Sequence, residues 1–207
     1  MEQPHGSYIL LFLCALASFL VGSLPSGKLI GQRVGGIDIT RKGSGNVGAT
    51  NVARVLGMRW GLLTLLLDLL KGYTPLALYA FVYSRSDLEL ALLGLSALLG
   101  HQFSAFSRFR GGKGVATSLG VILAIAPLQA LLAVALFTAI VLATGFVSLG
   151  SLLSALLVPI LFILSGKSGG LILMAFLMAA LIFFRHRDNI RRIIKGEEKA
   201  WRRNRSS

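Results

Sequence analysis

Acidic residues are scarce in this chain: 8 Asp and Glu stand against 21 Lys and Arg in 207 residues, a formal net charge of +13. Such a balance suggests nucleic acid, but the cations lie between and after apolar runs rather than on one polar patch. Anionic lipid headgroups and anionic substrates are therefore the expected partners, and nucleic acid is not. The single cysteine, Cys14, sits inside the first apolar run, which excludes a disulfide framework and a thiolate metal site. No carboxylate or cysteine cluster suggests a metal, and no cofactor is implied. Polar surface is also short: with 55% hydrophobic residues and a mean hydropathy of +0.76, the chain is an integral membrane protein rather than a soluble domain. Nothing in it points to an obligate protein partner. Ala15-Leu16-Ala17 mimics a signal cleavage site, but the preceding residues hold Glu2 and no Lys or Arg, so residues 8–24 read as a retained span.

Apolar stretches cover residues 8–30, 60–83, 89–104, 114–143, 147–165 and 168–184. The fourth is too long for one crossing and too short for two full ones: its helix would reach about 45 Å against a core of about 30 Å. Pro127 near its middle predicts a break into two short segments. Charge supports this. Arg33, Arg41, Lys42, Arg54 and Arg59 fall in loop 31–60, Arg108, Arg110 and Lys113 in loop 105–113, and nine more cations follow from Arg185, whereas the intervening turns carry only Arg85 and Lys167. A single crossing over 114–143 would put the basic tail opposite the two basic loops, against the positive-inside rule. Seven spans, or five with a re-entrant pair, put every basic segment in the cytoplasm with the N-terminus outside. Short segments with polar ends, here Thr117, Ser118, Gln129 and Thr144, are tolerated only where protein wraps them or a cavity receives them.

Three polar segments and one turn are then expected at the cytoplasmic face. The first, Arg41 to Arg54, reads RKGSGNVGATNVAR. Glycine N–H groups can converge on phosphate oxygens, Ser44, Asn46, Thr50 and Asn51 offer further donors, and Arg41, Lys42 and Arg54 add charge. Gly43 to Gly48 fits G-x-G-x-x-G with Asp68 twenty residues on from Gly48, but no strand precedes it and Asp68 lies in an apolar span, so a dinucleotide fold is excluded. The second, Gly100 to Thr117, places Lys113 among Gly111, Gly112 and Gly114, without the first glycine or trailing hydroxyl of a P-loop. Its Phe103, Phe106 and Phe109 read as interfacial anchors rather than base-stacking groups.

The third, Arg185 to Glu197, sets His186 and Asn189 three apart, a spacing that shares a helix face. Neighbouring arginines disfavour an imidazolium at His186, and a neutral histidine accepts a hydrogen bond or a proton. Arg202, Arg203 and Arg205 read as a positive-inside stop. The turn Thr144 to Ser151 adds hydroxyls at a helix start, where free N–H groups favour an anion and Ser capping alone is also sufficient reason. Asp68 and Lys71, spaced i,i+3, read as a mutually neutralising pair within a span, and His101 as a packed histidine.

Together these segments resemble the bacterial acyl-phosphate glycerol-3-phosphate acyltransferases, the PlsY family. GSGNVGATNVAR, FRGGKGVAT, VSLGS and RHRDNIRRIIKGE occur in that family's order, so the resemblance runs from about Gly22 to Glu197. It implies an all-α fold of seven transmembrane helices, two of them short within 114–143, as a single domain over 1–198 followed by a basic cytoplasmic tail, 199–207. It implies acyl transfer from acyl phosphate to the 1-hydroxyl of sn-glycerol 3-phosphate at the cytoplasmic side of the bacterial inner membrane, with no cofactor or metal. Ser44, Lys113, Ser151, His186 and Asn189 are the implied catalytic residues. Asn46, Asn51, Arg54, Gly111, Gly112 and Gly114 are expected to bind substrate, and Glu197 to be structural. No H-x-x-x-x-D follows His5, His101 or His186, which sets the chain apart from the other glycerol-phosphate acyltransferase type. The rival reading is a phosphate or organic-anion transporter, against which stands the absence of a matching polar set on the opposite face.

Overall fold

The computed structural model describes residues 4–83 and 86–201, with side chains from residue 8 onward. Arg85, Arg202, Arg203 and Arg205 of the charge pattern lie outside the described residues, as does the side chain of His5. Every regular element among the described residues is helical, in the order α1 (Pro4–Gly22), α2 (Ser26–Gly35), α3 (Ala49–Leu56), α4 (Met58–Val82), α5 (Asp87–Gln102), α6 (Val115–Ile125), α7 (Pro127–Thr144), α8 (Val147–Leu164), α9 (Gly169–Arg185) and α10 (Arg187–Ile194). The chain divides into two compact units, one ending at Ile125 and the other starting at Ala126.

In the first unit α1 packs on α5, α4 on α6, and α3 on α4. Between α4 and α6 the backbones themselves meet: a Cβ on Gly72 would strike the Thr117 carbonyl, and one on Gly120 the Leu69 carbonyl. Lipid tails are as apolar as leucine, so helices in a bilayer gain contact by such close approach through small residues. α5 starts with a capping box in which Ser86 Oγ accepts from the Glu89 N–H (3.2 Å) while Glu89 accepts from the Ser86 N–H (3.1 Å). In the second unit α8 packs against both α7 and α9. α7 ends on Gly145 at φ 76°, whose N–H returns to the Val141 carbonyl.

The expected break at Pro127 is present. α6 ends at Ile125 and α7 takes Pro127 as its first residue, where a missing N–H costs nothing. With 11 residues α6 is about 16 Å long, half a bilayer core. Two features differ from the sequence reading. The apolar run 8–30 is interrupted at Ser23–Pro25, because proline has no N–H and disfavours a helical Leu24. Lys71 Nζ donates to the freed Leu24 carbonyl at 2.9 Å and Ser104 Oγ to that of Ser23 at 2.5 Å. The basic stretch 31–60, read as a loop, contains α3, whose apolar side joins buried Ile30, Ile39 and Val52. Among the described residues five helical segments are long and apolar enough to cross a bilayer, or six if the α9–α10 pair, bent by 63°, is one span.

Candidate active site

In the first unit, the segment between α2 and α3 is organised by Asn51. This side chain is 2% exposed. Its Nδ2 reaches the carbonyls of Ile39 (3.2 Å), Lys42 (3.1 Å) and Asn46 (2.8 Å), and its Oδ1 accepts from the Ser44 N–H (2.8 Å). Sequence reading gave Asn51 to substrate; the structure spends its amide on the loop itself. Asn46 Oδ1 accepts from the Gly48 N–H at 2.8 Å. Asp38 caps the short 3₁₀ turn Ile39–Arg41, accepting from the hydroxyl (2.7 Å) and N–H (3.0 Å) of Thr40, and these bonds hold its carboxyl below the usual range. Outward from this scaffold face the exposed side chains of Arg41, Lys42, Ser44 and Arg54, with Asn46 and Thr50 half-buried. An amide packed among glycines reads the same from sequence whether it points at a ligand or at its own backbone.

The second polar segment follows α5. Phe106 and Phe109 are exposed, and Arg108 and Phe109 both have positive φ, 51° and 59°. Beyond them the backbone returns to the end of α5: Gly111 N–H donates to the Gln102 carbonyl and Gly112 N–H to that of His101, each at 3.1 Å. Gln102 Nε2 donates to the Lys113 carbonyl at 2.9 Å, and Lys113 itself is half-buried. Beneath lies a polar cluster that sequence reading treated as packing. Asp68 and Lys71 form an ion pair of 2.9 Å with both side chains about 95% buried, as expected for a neutralising pair. His101 and Gly111, with Asp68, Lys71 and Arg110, line a cavity beside the Ser23–Pro25 break.

In the second unit, α9 and α10 meet at His186, which is 2% exposed. Its Nδ1 lies 2.8 Å from the Ile182 carbonyl. A carbonyl has no proton to give, so Nδ1 carries the hydrogen and, in the neutral ring, Nε2 is the acceptor. His186 closes α9 while Asn189 sits in the first turn of α10, so the two belong to a bend rather than to one continuous helix. Ser151, near the start of α8, is buried and donates to the Val147 carbonyl at 2.9 Å.

Asn189 Nδ2 and Ser148 Oγ both donate to Glu198 Oε1 at 2.6 Å, and Arg192 Nε pairs with Glu198 Oε2 at 2.7 Å. Burial raises the Glu198 carboxyl, and the bonds from Ser148, Asn189 and Arg192 outweigh it, so the carboxyl titrates below the usual range. The Trp201 N–H donates to the Gly145 carbonyl at 2.7 Å, which lays the end of the described chain over the α7–α8 turn. Glu197, to which the resemblance gives a structural role, is exposed, and its backbone N–H donates to the Arg192 carbonyl at 2.7 Å. The side chain making the structural contacts is that of its neighbour: Gly196, at φ 69°, turns the backbone before Glu198 swings inward. Among the described residues no three His, Cys, Asp or Glu side chains converge as a metal site.

A family model described as glycerol-3-phosphate acyltransferase matches residues 12–196. The glycerol-3-phosphate acyltransferase of Geotalea daltonii is 46% identical over 188 residues, which cover 91% of this chain and 96% of that protein. That of Lawsonia intracellularis is 44% identical over 191 residues, 92% and 96% of the two chains. The crystal structure of PlsY, an integral membrane glycerol 3-phosphate acyltransferase, in its glycerol 3-phosphate form is similar with a TM-score of 0.89 at 37% identity, covering 92% of this chain and 94% of that one. Its lysophosphatidic acid form gives a TM-score of 0.86.

Proposed function

The chain belongs to the glycerol-3-phosphate acyltransferase family, and from that premise we propose that it moves a fatty acyl group from acyl phosphate to the 1-hydroxyl of sn-glycerol 3-phosphate. The products are lysophosphatidic acid and inorganic phosphate. The observation that carries the reading is the identity of 46% across nine-tenths of the chain. The protein is a multi-pass membrane protein. Its proposed topology has seven spans, adding the short α6 to the six longer segments, with the N-terminus outside and every basic segment in the cytoplasm, as the positive-inside rule requires. The proposed location is the bacterial inner membrane, with residues 1–198 acting as one acyltransferase domain and the remainder as a basic tail.

The chemistry sets what the side chains must do. Phosphate on one substrate must approach phosphate on the other, and each unit charge pair at about 4 Å is worth on the order of 4 kcal/mol at an effective dielectric of 20. Fixed cations and donors offset that repulsion. Ser44, Asn46, Lys113, Ser151, His186 and Asn189 are proposed to hold the acyl phosphate and stabilise the phosphate as it departs, with Arg54 and the second polar segment orienting glycerol phosphate. The glycerol oxygen attacks the acyl carbon, the bond to phosphate breaks, and the hydroxyl proton passes to a base. His186 Nε2 and a substrate phosphate are the two acceptors on offer. The Ser44 N–H is held by Asn51 Oδ1 at 2.8 Å and its side chain is exposed, which supports hydroxyl donation to phosphate over the role of a covalent nucleophile.

The donor is tested by supplying purified protein in lipid with palmitoyl phosphate, palmitoyl-CoA or palmitoyl-acyl carrier protein, each with glycerol 3-phosphate. Lysophosphatidic acid from palmitoyl phosphate alone is the expected result. Product from either thioester at a comparable rate contradicts the assignment. A His186→Ala protein with normal turnover removes the imidazole from the proton path.

A further inference from the structure

Gly111, Gly112 and Gly114 read from sequence as backbone exposed to phosphate, but in the structure each is needed for contact with the end of α5. A Cβ on Gly111 would strike the His101 carbonyl oxygen, and one on Gly112 the His101 Nε2. Gly114 has a φ of 85°, and a Cβ there would meet Leu98. The glycine loop is therefore laid flat on His101 and Gln102, with its two N–H groups and the Lys113 carbonyl hydrogen-bonded to them.

The orientation of the His101 ring is fixed in turn. Thr117 Oγ1 lies 2.9 Å from the Asp68 carbonyl oxygen and 2.9 Å from His101 Nδ1. The hydroxyl has one proton and the carbonyl has none, so that proton points at Asp68 and Nδ1 must donate to Thr117. The Nδ1–H bond sets the ring plane and puts the Nε2 edge against Gly112. His101 is 5% exposed and Thr117 fully buried, so neither partner can exchange this bond for one to water.

We infer that His101, oriented by Thr117, is a positioning residue for the glycine loop and fixes where Lys113 stands. The role rests on Lys113 acting on substrate phosphate as proposed above. His101 shapes the loop through its Nδ1 bond and the bulk of its ring, and takes no proton from the substrate.

The test uses full-length protein in lipid, with kcat and KM measured for both substrates. Asparagine places an amide N–H near the position of Nδ1, whereas glutamine places its amide near Nε2. His101→Asn and Thr117→Ser are expected within about threefold of wild-type kcat/KM, and His101→Gln and Thr117→Val to lose about tenfold, the scale of one buried hydrogen bond. Gly112→Ala is expected to lose about a hundredfold in the wild-type background and at most about threefold in His101→Ala, since neighbours that share a contact are non-additive. If Gly112→Ala protein folds only when His101 is alanine, the same collision is demonstrated. The positioning role is overturned if His101→Gln equals or exceeds His101→Asn, or if Gly112→Ala costs the same in both backgrounds or folds in neither. Wild-type protein that makes no lysophosphatidic acid contradicts the proposed function instead, so the two failures are distinct.

Discussion

Asn189 donates through Nδ2 to Glu198 Oε1 at 2.6 Å, so a residue assigned to phosphate chemistry is held by a carboxylate nine positions further along the chain. The same carboxylate receives Ser148 and Arg192, tying α8, α10 and the end of the described chain together within the second unit. Removing it leaves three donors without their shared acceptor. Hydrogen bonds to a charged partner are worth about 1.5–3 kcal/mol each, so Glu198→Ala is expected to lower the thermal midpoint by several degrees and to cut activity at least tenfold. Glu197→Ala is expected to change neither, because that side chain is exposed. Differential scanning fluorimetry of the two variants side by side checks the assignment.

The pH dependence follows from the direction of the Glu198 shift. Its folded carboxyl titrates below the unfolded value, so its stabilisation is complete above the unfolded value, about 4.3 for glutamate, and is lost as pH falls through the folded one. Between pH 6 and 8 the clasp contributes a constant amount. Below about pH 4 the midpoint of wild-type protein should fall more steeply than that of Glu198→Gln, whose side chain does not titrate there. Parallel curves for the two proteins would show that Glu198 contributes nothing to the acid limb.

Asn51 makes a separable prediction. Asn51→Asp keeps the oxygen that accepts from Ser44 but removes all three donations to the carbonyls of Ile39, Lys42 and Asn46. The Ile39 and Lys42 carbonyls keep the N–H groups of Lys42 and Gly45, but a carboxylate set among three carbonyl oxygens is repelled by them, and the hydrogen bond lost at Asn46 costs about 0.5–1.5 kcal/mol more. Asn51→Asp should therefore be as damaging as Asn51→Ala, at least tenfold in kcat/KM, with faster proteolysis between α2 and α3. A side chain contacting only substrate would instead raise KM and leave proteolysis unchanged.

The ion pair of Asp68 and Lys71 should show the asymmetry of buried charges. Breaking such a pair from one side costs about 3–5 kcal/mol, while replacing both partners with apolar residues is often neutral. Lys71→Met and Asp68→Leu are each expected to reduce the yield of folded protein sharply. The double variant should recover most of it, short of the bond Lys71 gives the Leu24 carbonyl. Equal yields in all three would show that the pair does not hold the α1–α2 break.

The parts of this molecule that were legible in its sequence are those set by length, charge and proline. The break before Pro127 followed from thirty apolar residues that fit neither one crossing nor two, and α6 and α7 divide there. The i,i+3 spacing of Asp68 and Lys71 announced a pair because both lie in one helix. What stayed hidden depended on direction. Asn51 and Ser44 are both polar residues among glycines, and only the fold turns one inward and the other outward. Glu197 and Glu198 are chemically identical neighbours, and the left-handed turn at Gly196 decides which reaches Asn189. The glycines around Lys113 fit a phosphate cradle in sequence, but in the fold they are fitted to the end of α5, Gly111 to the His101 carbonyl, Gly112 to the His101 ring and Gly114 to Leu98. Pro25 was obscured because the apolar run continues through it, and the residues that satisfy its neighbours' carbonyls, Lys71 and Ser104, are remote in sequence.

Acyl transfer from acyl phosphate is the central step assigned to this protein. Inorganic phosphate and lysophosphatidic acid should be followed together in purified, lipid-reconstituted protein supplied with palmitoyl phosphate, with and without glycerol 3-phosphate. The expected result is equimolar formation of both products that requires glycerol 3-phosphate and falls by at least about a hundredfold in Lys113→Ala, the scale of removing one charge-stabilising group from an active site. Phosphate release that is indifferent to glycerol 3-phosphate, or movement of phosphate across the vesicle membrane without acyl transfer, would contradict it.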